Sequence, residues 1–412
     1  MAMENSTVQP VLLKRRLGLP LLVLYGTGIT IGAGIYVLIG AVAGHAGVYA
    51  PWSFLLAATV MAFTVASYIE LSARYPVSAG EAAYVRAAFQ SRLLSTMTGL
   101  LTVVIAVVSS AAVALGSAGY IQQFIDLPRS LIVIVLVVGL GTVAAWGILE
   151  SVIVASVFTL IEAGGLIAII AVAVYTDVPI VATLVNTPPL DTGALSGIAF
   201  GSLLAFFAFI GFEDLANVVE EAKDPRRDIP RAMVLTLLIS TILYVVVAAV
   251  AVSAVSIEQL SSSPAPLSLV FRKIAGVSPA TISAIAIVAT LNTILAQMTM
   301  AARVIYGLAR DGDLPRILAR VSPRTGTPLV ATALIVASII PLALAVSFAW
   351  LAKSTSLATL GVFALVNLAL LRLRFRQVKS DAPHVTVPIW VPAVGLATCV
   401  AMIASSIFRS GS

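Results

Sequence analysis

Eleven long apolar stretches, separated by short polar turns, constrain this chain more than any other feature. They lie at 17–44, 51–74, 92–121, 129–148, 152–175, 195–221, 229–254, 278–309, 329–348, 350–372 and 386–408. A helix of about 20 apolar residues matches a hydrocarbon core of about 30 Å. Inside that core every backbone N–H and C=O needs a partner within the protein, which selects helices. The expectation is an all-α integral membrane protein with about 11 transmembrane helices, and the lipid bilayer as its solvent. Composition agrees: 60% of the 412 residues are hydrophobic and 10% are charged. Soluble domains carry roughly a quarter charged residues. The first stretch follows Lys14-Arg15-Arg16 as a secretory leader would, but it outlasts a leader's apolar core and reads as a retained helix.

The net charge of +6 is placed as topology demands rather than as nucleic acid would require. With the N-terminus inside, 19 basic residues fall on the inner side and 5 outside: Arg129, Arg272, Lys273, Lys353 and Arg409. That bias predicts a cytoplasmic N-terminus in a multi-pass protein of the cell membrane. The odd number of helices then puts the C-terminus outside. The single cysteine, Cys399, excludes an intramolecular disulfide, and two histidines, His45 and His384, do not make a metal site. No cofactor, metal or nucleic acid is expected, and the oligomeric state is left open.

Between the second and third stretches, Pro76 stops a helix, and Ser78-x-x-Glu81 has the spacing of a capping box. It predicts a short interfacial helix running through Ala82, Ala83, Tyr84 and Val85 to Arg86. The longest loops are 176–194, rich in Pro and Thr, and 255–277, which holds Ser261-Ser262-Ser263-Pro264-Ala265-Pro266.

Two stretches carry interruptions. The first has Gly26, Gly28, Gly32 and Gly34 within nine residues, and each interior glycine weakens a helix by roughly 0.5–1 kcal/mol. One consequence is close helix packing through Gly28-x-x-x-Gly32. The other is unwinding, which exposes amides and the positive end of a half-helix to an anionic group. The sixth stretch reads Phe206-Phe207-Ala208-Phe209-Ile210-Gly211-Phe212-Glu213-Asp214, a glycine among aromatics followed by two acids. An acid at membrane depth is a functional candidate by default. The first and sixth stretches each open a group of five helices, and matched interruptions mark a midplane site in transporters. This organisation predicts a tail at 1–16, a first five-helix repeat at 17–175 and an extracellular loop at 176–194. A second repeat of opposite orientation follows at 195–377, and a further helix is appended within 378–412.

Four sets of residues match a known group in order. Gly28-Ile29-Thr30-Ile31-Gly32-Ala33-Gly34-Ile35-Tyr36 is the first. The second is Tyr68-Ile69-Glu70-Leu71-Ser72-Ala73-Arg74-Tyr75-Pro76 with Ala79-Gly80-Glu81-Ala82-Ala83-Tyr84. Phe209-Ile210-Gly211-Phe212-Glu213 follows, with Glu220-Glu221-Ala222-Lys223-Asp224-Pro225 and Ile229-Pro230-Arg231-Ala232. The last is Arg303-Val304-Ile305-Tyr306-Gly307-Leu308-Ala309-Arg310-Asp311-Gly312-Asp313-Leu314-Pro315. Over nearly its whole length the chain resembles the amino acid–polyamine–organocation superfamily, and within it the bacterial amino acid permeases.

The resemblance implies a leucine-transporter-type 5+5 inverted repeat with broken helices 1 and 6, and secondary active transport of amino acids by alternating access. It places the substrate carboxylate at amides of Ile31, Gly32, Ala33 and Gly34. The ammonium falls at carbonyls of Phe206, Phe207, Ala208, Phe209 and Ile210, with Phe207 as the gating aromatic and Phe206 its rival. Thr27, Thr30, Phe207 and Asn292 are candidates for the side-chain pocket, and Asn292 and Thr293 fall where relatives contact substrate or cation. Two departures stand out: the family usually has 12 helices, and proton-coupled relatives often carry a lysine in helix 5 where this chain has Glu162. Proton coupling, sodium coupling and exchange of amino acids or polyamines all stay open.

Among single residues, Glu162 reads as a proton- or cation-binding group, or as an acid hydrogen-bonded between helices. Glu213 reads as a proton-linked gate, as support for the break, or as a paired buried acid. Glu220, Glu221, Arg303 and Arg310 are candidates for an inner salt-bridge gate, or ordinary interface charges. Glu70 and Arg74, at i,i+4, read as a pair stabilising their own helix end. There is no filter-like motif for a channel. A nucleophile with its base and a phosphate loop are also missing, so an enzyme is not expected.

Overall fold

The computed structural model of the chain describes residues 17–32, 34–76, 80–146, 152–377 and 385–409. The tail at 1–16, Ala33 of the expected carboxylate site and Ser78 of the capping pattern lie outside the described residues.

The chain is helical, as the apolar stretches require. Helices α1 (Leu19–Ile31) and α2 (Gly34–Ala46) divide the first stretch between them. A 3₁₀ turn leads into α3 (Ala50–Arg74), followed by α4 (Gly80–Phe89), α5 (Arg92–Ile121), α6 (Arg129–Trp146) and α7 (Val152–Tyr175). Next come α8 (Ile180–Val185), α9 (Thr192–Phe207), the short α10 (Asp214–Asn217) and α11 (Pro225–Ala254). The rest comprises α12 (Ile257–Ser262), α13 (Pro266–Ala275), α14 (Ala280–Arg310), α15 (Leu329–Ala345), α16 (Phe348–Phe375) and α17 (Trp390–Arg409). Both long loops are therefore partly helical. Ends follow from local chemistry: Ser91 and Asp191 accept from Leu94 N and Ala194 N at 3.2 and 2.8 Å, capping α5 and α9.

Seven helical runs among the described residues are long and apolar enough to cross a membrane. They are Gly34–Arg74, Arg92–Ile121, Arg129–Trp146, Ser156–Tyr175, Pro225–Ala254, Ala280–Arg310 and Phe348–Phe375. Four shorter apolar helices, Leu19–Ile31, Thr192–Phe207, Leu329–Ala345 and Trp390–Ser406, accompany them. The stretch expected at 195–221 ends as a helix at Phe207 and resumes only as α10 and a single 3₁₀ turn. Gly211, at φ 123°, forces that change of direction.

The helices are joined by polar contacts as well as apolar ones, as bilayer packing favours. Gln297 of α14 donates to Ser109 at 2.9 Å and accepts from Ser110 at 3.0 Å, both on α5. Asn367 of α16 accepts from Ser67 at 2.6 Å and donates to Thr64 at 3.0 Å on α3, while Gly395 of α17 packs against the same amide. Tyr68, Phe206, Phe212 and Phe363 meet edge to face at 5.3–5.8 Å and fill the centre.

The Glu70–Arg74 pair is more than a helix-end stabiliser. Glu70 is fully buried and takes Arg74 at 2.6 Å, Arg374 of α16 at 2.9 Å and the Val387 N–H at 2.8 Å. Burial leaves this carboxylate dependent on its cations, so the cluster ties α3 to α16 and to the segment before α17.

Candidate substrate site

The helix 1 interruption lies between Ile31 and Gly34. The Gly32 N–H still bonds Gly28 O at 2.9 Å, and Ile31 lies in the last turn of α1. Neither amide is therefore available to an anion, which narrows the expected carboxylate cradle. Gly34 opens α2, and the first N–H groups of a helix have no intrahelical acceptor. The anion-ready amides thus begin at Gly34 and extend toward Ile35 and Tyr36.

Close packing and unwinding coexist here. A Cβ on Gly28 would strike the Thr159 hydroxyl of α7, and one on Gly32 would strike that of Thr293 of α14. A Cβ on Gly34 would fall 2.5 Å from Ala208 Cα, so the two interruptions touch backbone to backbone. Gly211 packs in the same way on Ile29.

At the helix 6 interruption, the carbonyls of Phe206 and Phe207 accept from Phe209 N and Ile210 N at 3.0 and 3.2 Å. Ala208 O accepts from the Tyr244 hydroxyl at 2.9 Å. Of the five carbonyls expected to meet an ammonium, those of Phe209 and Ile210 keep no donor among the described residues. Phe206 is fully buried and edge-on to Phe363 at 5.8 Å, and Phe209 is edge-on to Tyr244 at 5.0 Å. Phe207 is buried and has no ring partner among the described residues.

Thr27 and Thr30 are buried, and their hydroxyls have no partner among the described residues. The Asn292 amide donates to Glu162 Oε1 at 3.2 Å, joining α14 to α7. Glu162 is fully buried and its Oε2 has no partner among the described residues, while its backbone carbonyl accepts from Tyr36 of α2 at 2.7 Å. Glu213 accepts from Gly211 N at 2.8 Å and so braces the helix 6 turn.

Of the four residues expected at an inner gate, three have side chains among the described residues: Glu221, Arg303 and Arg310. Arg310 pairs with its neighbour Asp311 at 3.8 Å, the Glu220 side chain lies outside the described residues, and Glu221 contributes its backbone carbonyl to Leu17 N at 3.0 Å. Arg92 of α5 clamps the end of α14, binding Asp313 Oδ1 and Asp311 O, each at 2.5 Å. The Thr96 hydroxyl, at 2.8 Å, and then Arg92 hold the Asp313 carboxyl below the usual aspartate range.

Residues that sequence reasoning missed come mainly from α11 and α16. Thr236, Ser240 and Tyr244 recur every four residues and share one face of α11. The first two hydroxyls are buried without partners among the described residues, as are those of Ser356 and Thr359 of α16. The spacing was legible, but which helix that face meets was not. Surface cavities of about 510 and 350 Å³ lie apart from the interruptions, beside Arg272 and Lys273 of α13 and beside His45 and Phe200.

Residues 17–412 match the amino acid permease family. The chain belongs to that family. It is a multi-pass membrane protein of the amino acid–polyamine–organocation superfamily, whose members are transporters rather than enzymes. This permease is 30% identical to the branched-chain amino acid permease BcaP of Bacillus subtilis, over 95% of its own length and 88% of the relative's. It is 30% identical to the vacuolar cationic amino acid transporter 4 of Arabidopsis thaliana, over 89% of this chain and 64% of that one. An uncharacterised transporter of Mycobacterium tuberculosis, Rv1999c, is 31% identical over 95% of this chain and 86% of its own.

Proposed function

We propose that this permease carries amino acids across the cytoplasmic membrane by alternating access, as a secondary active transporter of the leucine-transporter type. The observation that carries the reading is the contact of the two interruptions at Gly34 and Ala208. On one side lie the unpaired amides that open α2, and on the other the Phe209 and Ile210 carbonyls. A zwitterion suits such a place, because its carboxylate and ammonium can both be held by backbone dipoles. Counting α1 and α2 as one interrupted span yields eleven crossings, five in each inverted half and α17 appended. The basic loops then face the cytoplasm.

Apolar rings and hydroxyls around the interruptions favour a neutral side chain, in keeping with the branched-chain amino acids that BcaP's name specifies. Glu162 supports cation coupling: a fully buried carboxylate with one oxygen unpartnered among the described residues, on the helix whose Thr159 meets Gly28 of α1, suits a proton or sodium ion. Uptake of radiolabelled leucine into proteoliposomes, with proton and sodium gradients imposed separately, tests both parts. Saturable uptake driven by one gradient is the expected result. Absence of uptake for every amino acid in a competing panel would refute the reading.

A further inference from the structure

Tyr36, the third residue of α2, is fastened twice. Its hydroxyl donates to the Glu162 carbonyl of α7 at 2.7 Å. Its own carbonyl accepts from the Tyr120 hydroxyl of α5 at 2.5 Å. The Tyr120 oxygen in turn accepts from Leu267 N, in the first turn of α13, at 3.4 Å. Tyr36, Tyr120, Glu162 and Leu267 are all fully buried. One residue of α2 is thus tied to two long helices, to α7 through its side chain and to α5 through its backbone.

Glycines on both neighbours make that approach possible. A Cβ on Gly165 of α7 would fall 2.7 Å from the Tyr36 hydroxyl, and one on Gly116 of α5 would strike Val37, the next residue of α2. The α12–α13 hairpin, which Tyr120 holds through Leu267, closes on the same helix: Gly40 and Gly44 leave room for Leu260 and Ser261.

A buried phenol needs a partner, and any carbonyl in reach would satisfy it. The partners here do more than that. Tyr36 belongs to the turn whose N–H groups, from Gly34 onward, have no intrahelical acceptor. Because α1 ends at Ile31, its hydrogen-bond ladder does not run on into this turn, whose aim therefore depends on contacts from the side. Amides at a helix start bind an anion only while they point at it, since a hydrogen bond weakens steeply as it bends. Holding Tyr36 at both its carbonyl and its phenol fixes that direction, as supporting hydrogen bonds do in a preorganised site.

We propose that Tyr36 and Tyr120 are positioning residues for the substrate carboxylate, aiming the α2 amides by pinning Tyr36 between α7 and α5. This deepens the transport reading above and rests on it. The two phenols act on the substrate through the backbone of Tyr36.

The test uses the full chain in detergent. Binding of leucine, or of lysine if the wild type binds only that, is compared with binding of the corresponding amino acid amide. Both compete against the radiolabelled acid at a pH where their amines are protonated. The wild type should prefer the acid, because only the acid carries a carboxylate. Tyr36→Phe, which keeps the ring, should weaken binding of the acid about tenfold, the contribution of one hydrogen bond, and change binding of the amide little. Tyr120→Phe should do the same. Gly165→Ala presses on the Tyr36 phenol from α7 and leaves both tyrosines in place, so it should also shrink the preference and serves should a phenylalanine variant misfold. A merely structural role would weaken acid and amide together and leave their ratio as in the wild type. A wild-type ratio in every folded variant overturns this proposal alone. A wild type that binds neither amino acid, or binds acid and amide alike, overturns the carboxylate site and this proposal with it.

Discussion

Tyr244 donates its hydroxyl to the carbonyl of Thr30 at 2.6 Å, and the same oxygen lies 2.9 Å from the carbonyl of Ala208. One side chain on α11 thus gathers the loose ends of both interrupted helices. Buried carbonyls without donors are costly, roughly 1–3 kcal/mol each. A phenol on a rigid neighbour meets that need without closing either helix.

Tyr244→Phe should keep the ring packing against Phe209 and Phe54 while removing the donor. Uptake is expected to fall at least about tenfold, with stability lowered by about 1–3 kcal/mol. Transport assays beside thermal unfolding in detergent check this. Wild-type uptake in the variant would show that the tie is unnecessary.

Gly211 has φ 123° and its missing side chain makes room for Ile29. Gly211→Ala therefore combines a backbone penalty of roughly 1–3 kcal/mol with a clash against α1. Loss of substrate binding with retained membrane insertion is the expected outcome, measured by ligand-induced thermal stabilisation. Gly34→Val should do the same through Ala208. Full affinity in both would remove the touching interruptions from the binding site.

Glu162→Gln preserves the shape of the side chain and an oxygen for the Asn292 amide, but not the charge. The pH or sodium dependence of uptake should flatten, while exchange at equal concentrations persists. If neither ion dependence changes, Glu162 is a structural acid and coupling lies elsewhere.

Glu70→Ala leaves Arg74 and Arg374 without their shared anion. Removing one partner of a buried ion cluster costs about 3–5 kcal/mol. Unfolding temperature should drop sharply, and protease should gain access to the segment before α17, which Glu70 holds through Val387 N. A cut pattern like the wild type's would argue that α17 docks through Asn367 and Gly395 alone.

A weaker effect is expected at the Arg92–Asp313 clamp, where both partners meet water. Because hydrogen bonds from Thr96 and Arg92 lower the Asp313 carboxyl, the clamp contributes above the ordinary aspartate value of about 4. It is lost only as pH falls through the lowered value. Thr96→Val should move that acid loss upward in pH, read from stability against pH.

The apolar stretches alone determined that this chain is a helical membrane protein, because hydrocarbon leaves the backbone no other way to satisfy its polar groups. Local chemistry also marked where helices 1 and 6 would be interrupted, since glycine clusters and an acid after Gly211 conflict with a continuous helix. Which amides and carbonyls stay free was decided only by tertiary structure: Gly32 still bonds within α1, and Ala208 is taken by Tyr244. Partners such as Glu162 with Asn292, or Glu81 with Tyr68, were equally hidden. The reason is physical. Hydropathy and helical period are properties of a single segment, whereas a hydrogen bond between helices depends on rotations and depths set by all of them together.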